Sequence, residues 1–324
     1  MLKVYINRNP VMGPFGGGNM LLQAFYRYAQ QNGFQIVELK SRHERYFEQQ
    51  NIPDVYFCMS PHADETNLSL IDMYQFQQMR QQEYHIKPPI VLRVNECDAR
   101  KATQGVDKLW YDVSSIVSST IWVSDWLKHY FWKSIGWQCR DDKILRNTII
   151  VNGVDKTIFK SNKKFNNGKI NITCHHWSDN NLKGSDYIKW LDDYTGKNSD
   201  KYSFTFIGRT KVNLVHSRHI PPLFGKQLGD EIGKYDVYIN ASRFDPGPNS
   251  TIEAISCGLP TYVHSCGGGS VEFAGSDHVF SNENELEQIL NNTLQSNQTS
   301  FLSWELVMKQ IFDHLKEIYY VTKC

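Results

Sequence analysis

The first forty residues confine this chain to a narrow set of architectures. An apolar run, "LKVYIN", leads into a glycine loop, "GPFGGGN", then into "MLLQAFYRYAQQNG" with apolar residues at helical spacing, and then into a second apolar run, "FQIVELK". Strand, loop, helix and strand in that order make a βαβ unit, whose crossover leaves its two strands parallel. The runs "DVYFCM" and "PPIVLRV" follow, alternating with helix-like polar stretches. "IWVSDWLKHYFWKSIGW" then joins a short strand to an amphipathic helix capped at Ser124 and Asp125. This alternation predicts a parallel sheet with helices on both faces.

The pattern pauses and starts again. From Lys156 to Lys169 the chain is polar and rich in Lys, Asn and Gly, which reads as a linker and puts a domain boundary near Val154. Beyond it come "INITCHH", a helix from about Gly184 to Tyr194, "YSFTFIG", "DVYINAS", a helix opened by Ser250, and "PTYVHS", a second α/β domain. The length of 324 residues agrees, since it exceeds one core and suits two domains of about 150 residues each. In the last helix, Trp304, Leu306, Ile311, Leu315 and Ile318 form an apolar stripe that needs a groove. Two such domains leave a cleft facing the carboxyl ends of their strands, where ligands of open parallel sheets bind.

Composition removes several functions. A net charge of +1 gives no electrostatic reason to bind nucleic acid. The seven cysteines, Cys58, Cys97, Cys139, Cys174, Cys257, Cys266 and Cys324, are scattered and form no C-x-x-C pair, so neither a disulfide framework nor a zinc site is expected. A reducing cytoplasm suits them. No apolar run approaches the length of a membrane span, and "MLKVYINRNP" lacks the basic and apolar regions of an export signal. The aromatic helix "DWLKHYFWKSIGW" allows a weak peripheral contact with a membrane but has no broad cationic face, and core packing is the better reading.

Three loops carry the candidate chemistry. In "GPFGGGN", backbone N–H groups at Gly16, Gly17 and Gly18 converge with a helix N-terminus where a phosphate would sit; the plainer reading is a tight turn. The spacing is not G-x-G-x-x-G, although Glu38 stands where a ribose-binding acid would, which leaves a nicotinamide cofactor as a weaker alternative. In "HHWSDNNLKGSDYI", Lys183 offers a compact positive charge to a diphosphate and Ser178 a hydroxyl; otherwise Lys183 is a surface lysine. His175 and His176, adjacent on a strand, point to opposite faces and cannot ligate one ion together. In "FDPGPNSTIEAISCGLP", Pro246 and Pro248 stiffen the loop between two carboxylates. Asp245 and Glu253 are the kind of group that accepts from vicinal sugar hydroxyls, and the N–H groups of Gly247, Asn249 and Ser250 suit sugar and phosphate oxygens. A capping box between Ser250 and Glu253 explains the second acid without a ligand but leaves Asp245 unexplained. Gly267 to Gly269 and Glu272 follow the next strand, on the cleft side of a parallel sheet.

Taken in order, "GPFGGGN", "VSDWL", "VNGVDKTIF", "HHWSDNNLKG", "INASRFDPGPNSTIEAISCGLP", "GGGSVEFAG" and the terminal "SWELV" helix resemble the retaining glycosyltransferases of family 4, nearly end to end. The resemblance implies a GT-B fold of two Rossmann-like domains, residues 1–154 for the acceptor and 155–304 for the nucleotide-sugar donor, with a terminal helix, residues 305–324, crossing back to the first. It implies that Asp245, where glutamate is usual, contacts the sugar hydroxyls, Glu253 the ribose, and Lys183 the diphosphate, with Gly16 to Gly18, Ser178, Gly247, Pro248, Asn249 and Ser250 around the donor. An arginine commonly precedes the lysine; Ser178 holds that place here. Asp98, in "LRVNECDARKAT", would orient the acceptor or a developing positive charge; equally it caps a helix or pairs with Arg100.

The reaction so implied moves a hexose from a UDP- or GDP-sugar to a hydroxyl of a glycan, lipid-linked or other acceptor, on one face of the sugar, the departing diphosphate taking the acceptor's proton. No D-x-D motif occurs in the sequence, so no metal or other cofactor is expected. A sugar-nucleotide epimerase or a binding protein of the same architecture remains the alternative, since fold does not dictate function.

Overall fold

The computed structural model describes residues 1–11, 17–38, 52–63, 67–136, 146–162 and 164–323. The amino-terminal sheet contains β1 (Lys3–Ile6), β2 (Gln35–Val37), β3 (Val55–Cys58), β4 (Ile90–Val94), β5 (Ser119–Trp122) and β6 (Arg146–Ile149), in the order β2-β1-β3-β4-β5-β6. All neighbours are parallel. Every residue of β3, β4 and β5 is buried, as a sheet covered on both faces requires.

Alternation along each strand sends side chains to two cores. Val4, Ile6, Val55, Phe57, Val91 and Ile121 face one layer, covered by α1 (Gly17–Gln31) and α11 (Trp304–Lys323). Tyr5, Tyr56, Leu92 and Trp122 face the other, closed by Met73 of α2 (Leu70–Tyr84), Trp110 of α4 (Val106–Val113), and Leu127 and Phe131 of α5 (Asp125–Ile135). The Ser124 hydroxyl caps α5, accepting from the Leu127 N–H at 3.1 Å.

The carboxy-terminal sheet contains β7 (Ile170–His176), β8 (Tyr202–Gly208), β9 (Arg218–Ile220), β10 (Val237–Asn240), β11 (Thr261–His264) and β12 (Val279–Phe280), all parallel, in the order β12-β11-β10-β7-β8-β9. From β7 the chain builds outward through β8 and β9, then returns to place β10 on the other side of β7. This reversal opens a crevice at the carboxyl ends of β7 and β10.

The chain passes between the sheets at two adjacent points, where Val154 forms a parallel bridge with Ser303. A Cβ on Gly153 would lie 2.8 Å from the Cα of Trp304, so only glycine allows this approach. Beyond it α11 returns to the amino-terminal lobe, where Phe312 meets Phe25, Tyr28 and Phe34 at ring distances of 4.5, 5.1 and 4.3 Å. The buried stripe of α11 is Val307, Met308, Ile311, Phe312, Leu315 and Ile318. Leu306, expected in that stripe, is 48% exposed, because the i, i+4 ladder from Val307 turns it outward. Among the described residues no helix is long and apolar enough to cross a membrane, and Trp132 of α5 is half exposed.

Candidate active site

The loop after β7 and the loop after β10 meet at the crevice. Gly184 lies in the left-handed region at φ 83°, and a Cβ there would come within 2.5 Å of Ala241. The Arg243 N–H donates to the Leu182 carbonyl at 2.8 Å. These contacts set Lys183 directly over the β10 loop. Phe244 also has positive φ, 55°, a conformation that costs a non-glycine residue about 1–2 kcal/mol and turns the chain sharply before Asp245. The Asp245 backbone is then clamped by the glycine loop after β11: its N–H donates to Gly267 at 3.2 Å and its carbonyl accepts from Gly269 at 2.8 Å.

Asp245 is 4% exposed. Its Oδ2 lies 2.5 Å from the Lys183 ammonium and its Oδ1 3.5 Å from Arg100 Nε, while the Gly247 N–H bonds it as well. Burial alone would raise its carboxyl; Lys183, Arg100 and the hydrogen bonds outweigh burial and hold it well below the usual carboxylate range. Arg100 reaches this point from the other lobe, on the short helix α3 (Asp98–Lys101) beyond β4.

Glu253 lies inside α8 (Asn249–Ser256), and the expected capping box with Ser250 does not form. The helix begins two residues earlier than that box requires, its N-cap is Pro248, and Ser250 is already within the first turn, where its hydroxyl meets Tyr238. Glu253 Oε2 instead pairs with His175 Nε2 at 2.9 Å, and His175 Nδ1 meets the Tyr238 hydroxyl at 3.0 Å. A relay of Tyr238, His175 and Glu253 thus fixes the second acid from inside the lobe. His176 turns the other way, against Phe206. Among the described residues no three His, Cys, Asp or Glu side chains gather in a metal-ligating group.

The two lobes touch at the glycines. A Cβ on Gly17, the first residue of α1, would lie 2.5 Å from the Asn249 side chain, so the N-termini of α1 and α8 converge. Gly18 has open space beside it, and Gly16 lies outside the described residues. Asn152 donates to Asn249 Oδ1 at 2.7 Å and is held by buried Arg93 at 2.8 Å; a Cβ on Gly247 would press on Val123 at 2.5 Å. Glu272 crosses the lobes too, accepting from the Trp126 N–H at the start of α5 at 3.0 Å.

Two expected residues serve the loops themselves. The Ser178 hydroxyl accepts from the Asn180 N–H at 3.3 Å in the turn before Lys183. The Asp98 carboxylate accepts from Thr103 at 2.7 Å and from the Val106 and Asp107 N–H groups at 3.2 and 3.0 Å, which caps α4. Burial would raise Asp98, but these bonds hold it below its usual value. Arg100 pairs with Glu96 and Asp245, not with Asp98. Glu38 lies beside Tyr26 in a separate hollow that Asn9 and Asn67 also line.

No protein-family model and no curated protein matches the sequence. Solved structures match over nearly the whole chain. A sucrose-phosphate synthase from Thermosynechococcus elongatus superposes with a TM-score of 0.71 at 10% identity, covering 99% of this chain and 100% of that one. Anabaena HepE, solved in complex with UDP-glucose, superposes with a TM-score of 0.64 at 12% identity, covering 98% and 100%. A UDP-forming trehalose-phosphate synthase from Burkholderia vietnamiensis does so at 0.67 and 10%, covering 99% of each chain. The chain has the GT-B fold. In GT-B terms, Lys183, Asp245 and Glu253 belong to the carboxy-terminal lobe at its topological switch, and Gly17 and Arg100 face them from the amino-terminal lobe. Sequence reading missed Arg100 and His175 as site residues. Burial on the β7 strand signals His175, while nothing local marks Arg100, whose position depends on how the lobes face.

Proposed function

We propose that this chain is a retaining glycosyltransferase that moves a hexose from a UDP- or GDP-sugar to a hydroxyl acceptor, either a glycan or a lipid-linked acceptor, without a divalent metal. The observation that carries this reading is the grouping of Lys183, Asp245 and Glu253 on the loops and helix that follow β7 and β10, at the switch point, beside the meeting N-termini of α1 and α8. The fold shared with HepE, which was solved with UDP-glucose, supports it.

In this reading Asp245 accepts from the sugar hydroxyls and Glu253, aimed by His175, from the ribose. Lys183, the Gly17 and Gly18 amides and both helix N-termini meet the negative charge that grows on the diphosphate as the glycosidic bond lengthens. The acceptor hydroxyl attacks from the face the diphosphate leaves, and its proton passes to a leaving phosphate oxygen, so configuration is kept. Asp98 positions α4 and the segment bearing Arg100.

Thermal unfolding with ligands tests the assignment. A ligand at about one hundred times its Kd stabilises the folded state by about 2.7 kcal/mol. UDP or GDP is expected to raise the midpoint and NAD to leave it unchanged, with slow hydrolysis of one nucleotide-sugar in a panel surviving EDTA. Stabilisation by NAD and by neither diphosphate would overturn the assignment.

A further inference from the structure

Two cations from opposite lobes converge on one carboxylate. Lys183 Nζ is 2.5 Å from Asp245 Oδ2, and Arg100 Nε is 3.5 Å from Oδ1. Arg100 Nε is buried and makes no hydrogen bond among the described residues. Its Nη1 is held by Glu96 at 2.9 Å, and Glu96 is shared with Lys101 at 3.0 Å. The Arg100 side chain keeps 28% of its surface, so it stands at the crevice wall and is not sealed beneath it. Burial pushes Lys183 below the ordinary lysine value against the pull of Asp245, and Arg100 adds to the push. Lys183, Arg100 and Lys101 thus set three cations against the two carboxylates of Asp245 and Glu96, an excess of one positive charge.

A diphosphate is the ligand class that such a cluster suits. Lysine meets it as a point charge, whereas a guanidinium presents a planar fork that matches two phosphate oxygens at once. On the carboxy-terminal side the same β7 loop offers, besides Lys183, the hydroxyl of Ser178, which is neutral and already accepts from the Asn180 N–H. We propose that Arg100, reaching across from the amino-terminal lobe, is the second cation for the donor's diphosphate. The inference rests on the nucleotide-sugar reading above. It gives donor binding a mechanical consequence: the diphosphate, held by Lys183 on one lobe and Arg100 on the other, draws the lobes together and releases Asp245 Oδ1 for the sugar hydroxyls.

Calorimetric binding of UDP, GDP and ADP, each compared with its nucleoside, tests this on the full chain with Arg100→Gln and Arg100→Lys. Affinity for the bound diphosphate is expected to fall at least tenfold, about 1.4 kcal/mol, in Arg100→Gln. It should fall less in Arg100→Lys, which keeps the charge and loses the fork, while nucleoside affinity stays within about twofold in both. An equal loss for nucleoside and diphosphate would make Arg100 a support for the lobes and overturn the proposal, as would unchanged diphosphate affinity. If Arg100→Gln does not fold, the same comparison in Arg100→Lys decides. Failure of the unaltered protein to bind any of the three diphosphates would remove the donor reading itself, and this inference with it.

Discussion

At the scale of single residues, Lys183 and Glu253 occupy different physical situations and lead to the same expected loss. Lys183→Ala removes the cation paired with Asp245, which in the proposed reading meets the leaving group, and Glu253→Gln keeps the shape of the acid that His175 holds while removing its carboxylate. Each is expected to lower transfer at least tenfold, about 1.4 kcal/mol of transition-state stabilisation, with the fold retained. Initial-rate kinetics beside circular dichroism would check both; unchanged turnover in the pair would return the two residues to structural roles. Asp245 supplies a pH prediction. Its folded pKa lies below its unfolded value near 3.9, so its contribution to stability is complete above that value and is lost as pH falls through the folded one. Asp245→Asn also strands Lys183 without its close counter-ion and leaves Arg100 to Glu96 alone, and breaking a buried pair costs about 3–5 kcal/mol. The gap in urea stability between wild type and Asp245→Asn should hold steady from about pH 7 to 5 and narrow below about pH 4. A gap that persists unchanged to pH 3 would mean that the carboxylate is not what joins these groups.

At the scale of elements, two glycines with positive φ separate conformation from contact. Gly268, at φ 71°, lies where a Cβ would come within 2.8 Å of the Asp245 carbonyl, whereas Gly258, at φ 74°, has open space around it. Gly258→Ala is expected to cost about 1–2 kcal/mol and leave turnover intact, since it closes α8 away from the crevice. Gly268→Ala adds the clash to the conformational strain, about 1–3 kcal/mol or more, and should abolish turnover by shifting the loop that clamps Asp245. Melting curves beside hydrolysis rates separate the two; equal activity in both variants would detach the glycine loop from the site. Elements were legible in the sequence where burial was two-sided. The β3, β4 and β10 strands appear in the sequence as apolar runs, interrupted at Arg93 and Asn240, because helices cover both of their faces. The α8 start was less legible, since Ser-x-x-Glu spacing signals a capping box only when the glutamate has no stronger partner, and His175 is one. Leu306 fell out of the α11 stripe for a similar reason: an apolar residue beside a continuous i, i+4 ladder does not join it. Glu272 was placed at the cleft by its loop, but the N–H groups it receives belong to α5 of the other lobe, which no local pattern encodes.

At the scale of the whole molecule, the amino-terminal lobe is finished by the end of the chain. Val307, Met308, Ile311, Phe312, Leu315 and Ile318 fill the same core as Val4, Phe25 and Phe57, so that core closes only after α11 has crossed from Ser303. Phe312 is fully buried among aromatic rings that all belong to this lobe, Phe25, Tyr28 and Phe34. Truncating such a side chain removes its transfer free energy and leaves a cavity, together about 3–5 kcal/mol. The loss falls on one lobe, because the carboxy-terminal core is a separate cluster around β7, β8 and β10. Among the described residues the lobes are joined mainly by polar contacts, of Glu272 with α5, of Asn152 with Asn249 and of Arg100 with Asp245, with Met20 packing on the carboxy-terminal core and Val123 beside Gly247. Phe312→Ala should therefore split thermal unfolding into two transitions, with the lower one belonging to the amino-terminal lobe. A nucleoside diphosphate held by Lys183 and Glu253 would still raise the upper transition, since those residues keep their own core, while its effect on the lower one would weaken as the lobes part. Calorimetry with and without UDP or GDP would resolve the two peaks. A single transition moving as a whole would show instead that the polar seam between the lobes is strong enough to make them unfold as one unit.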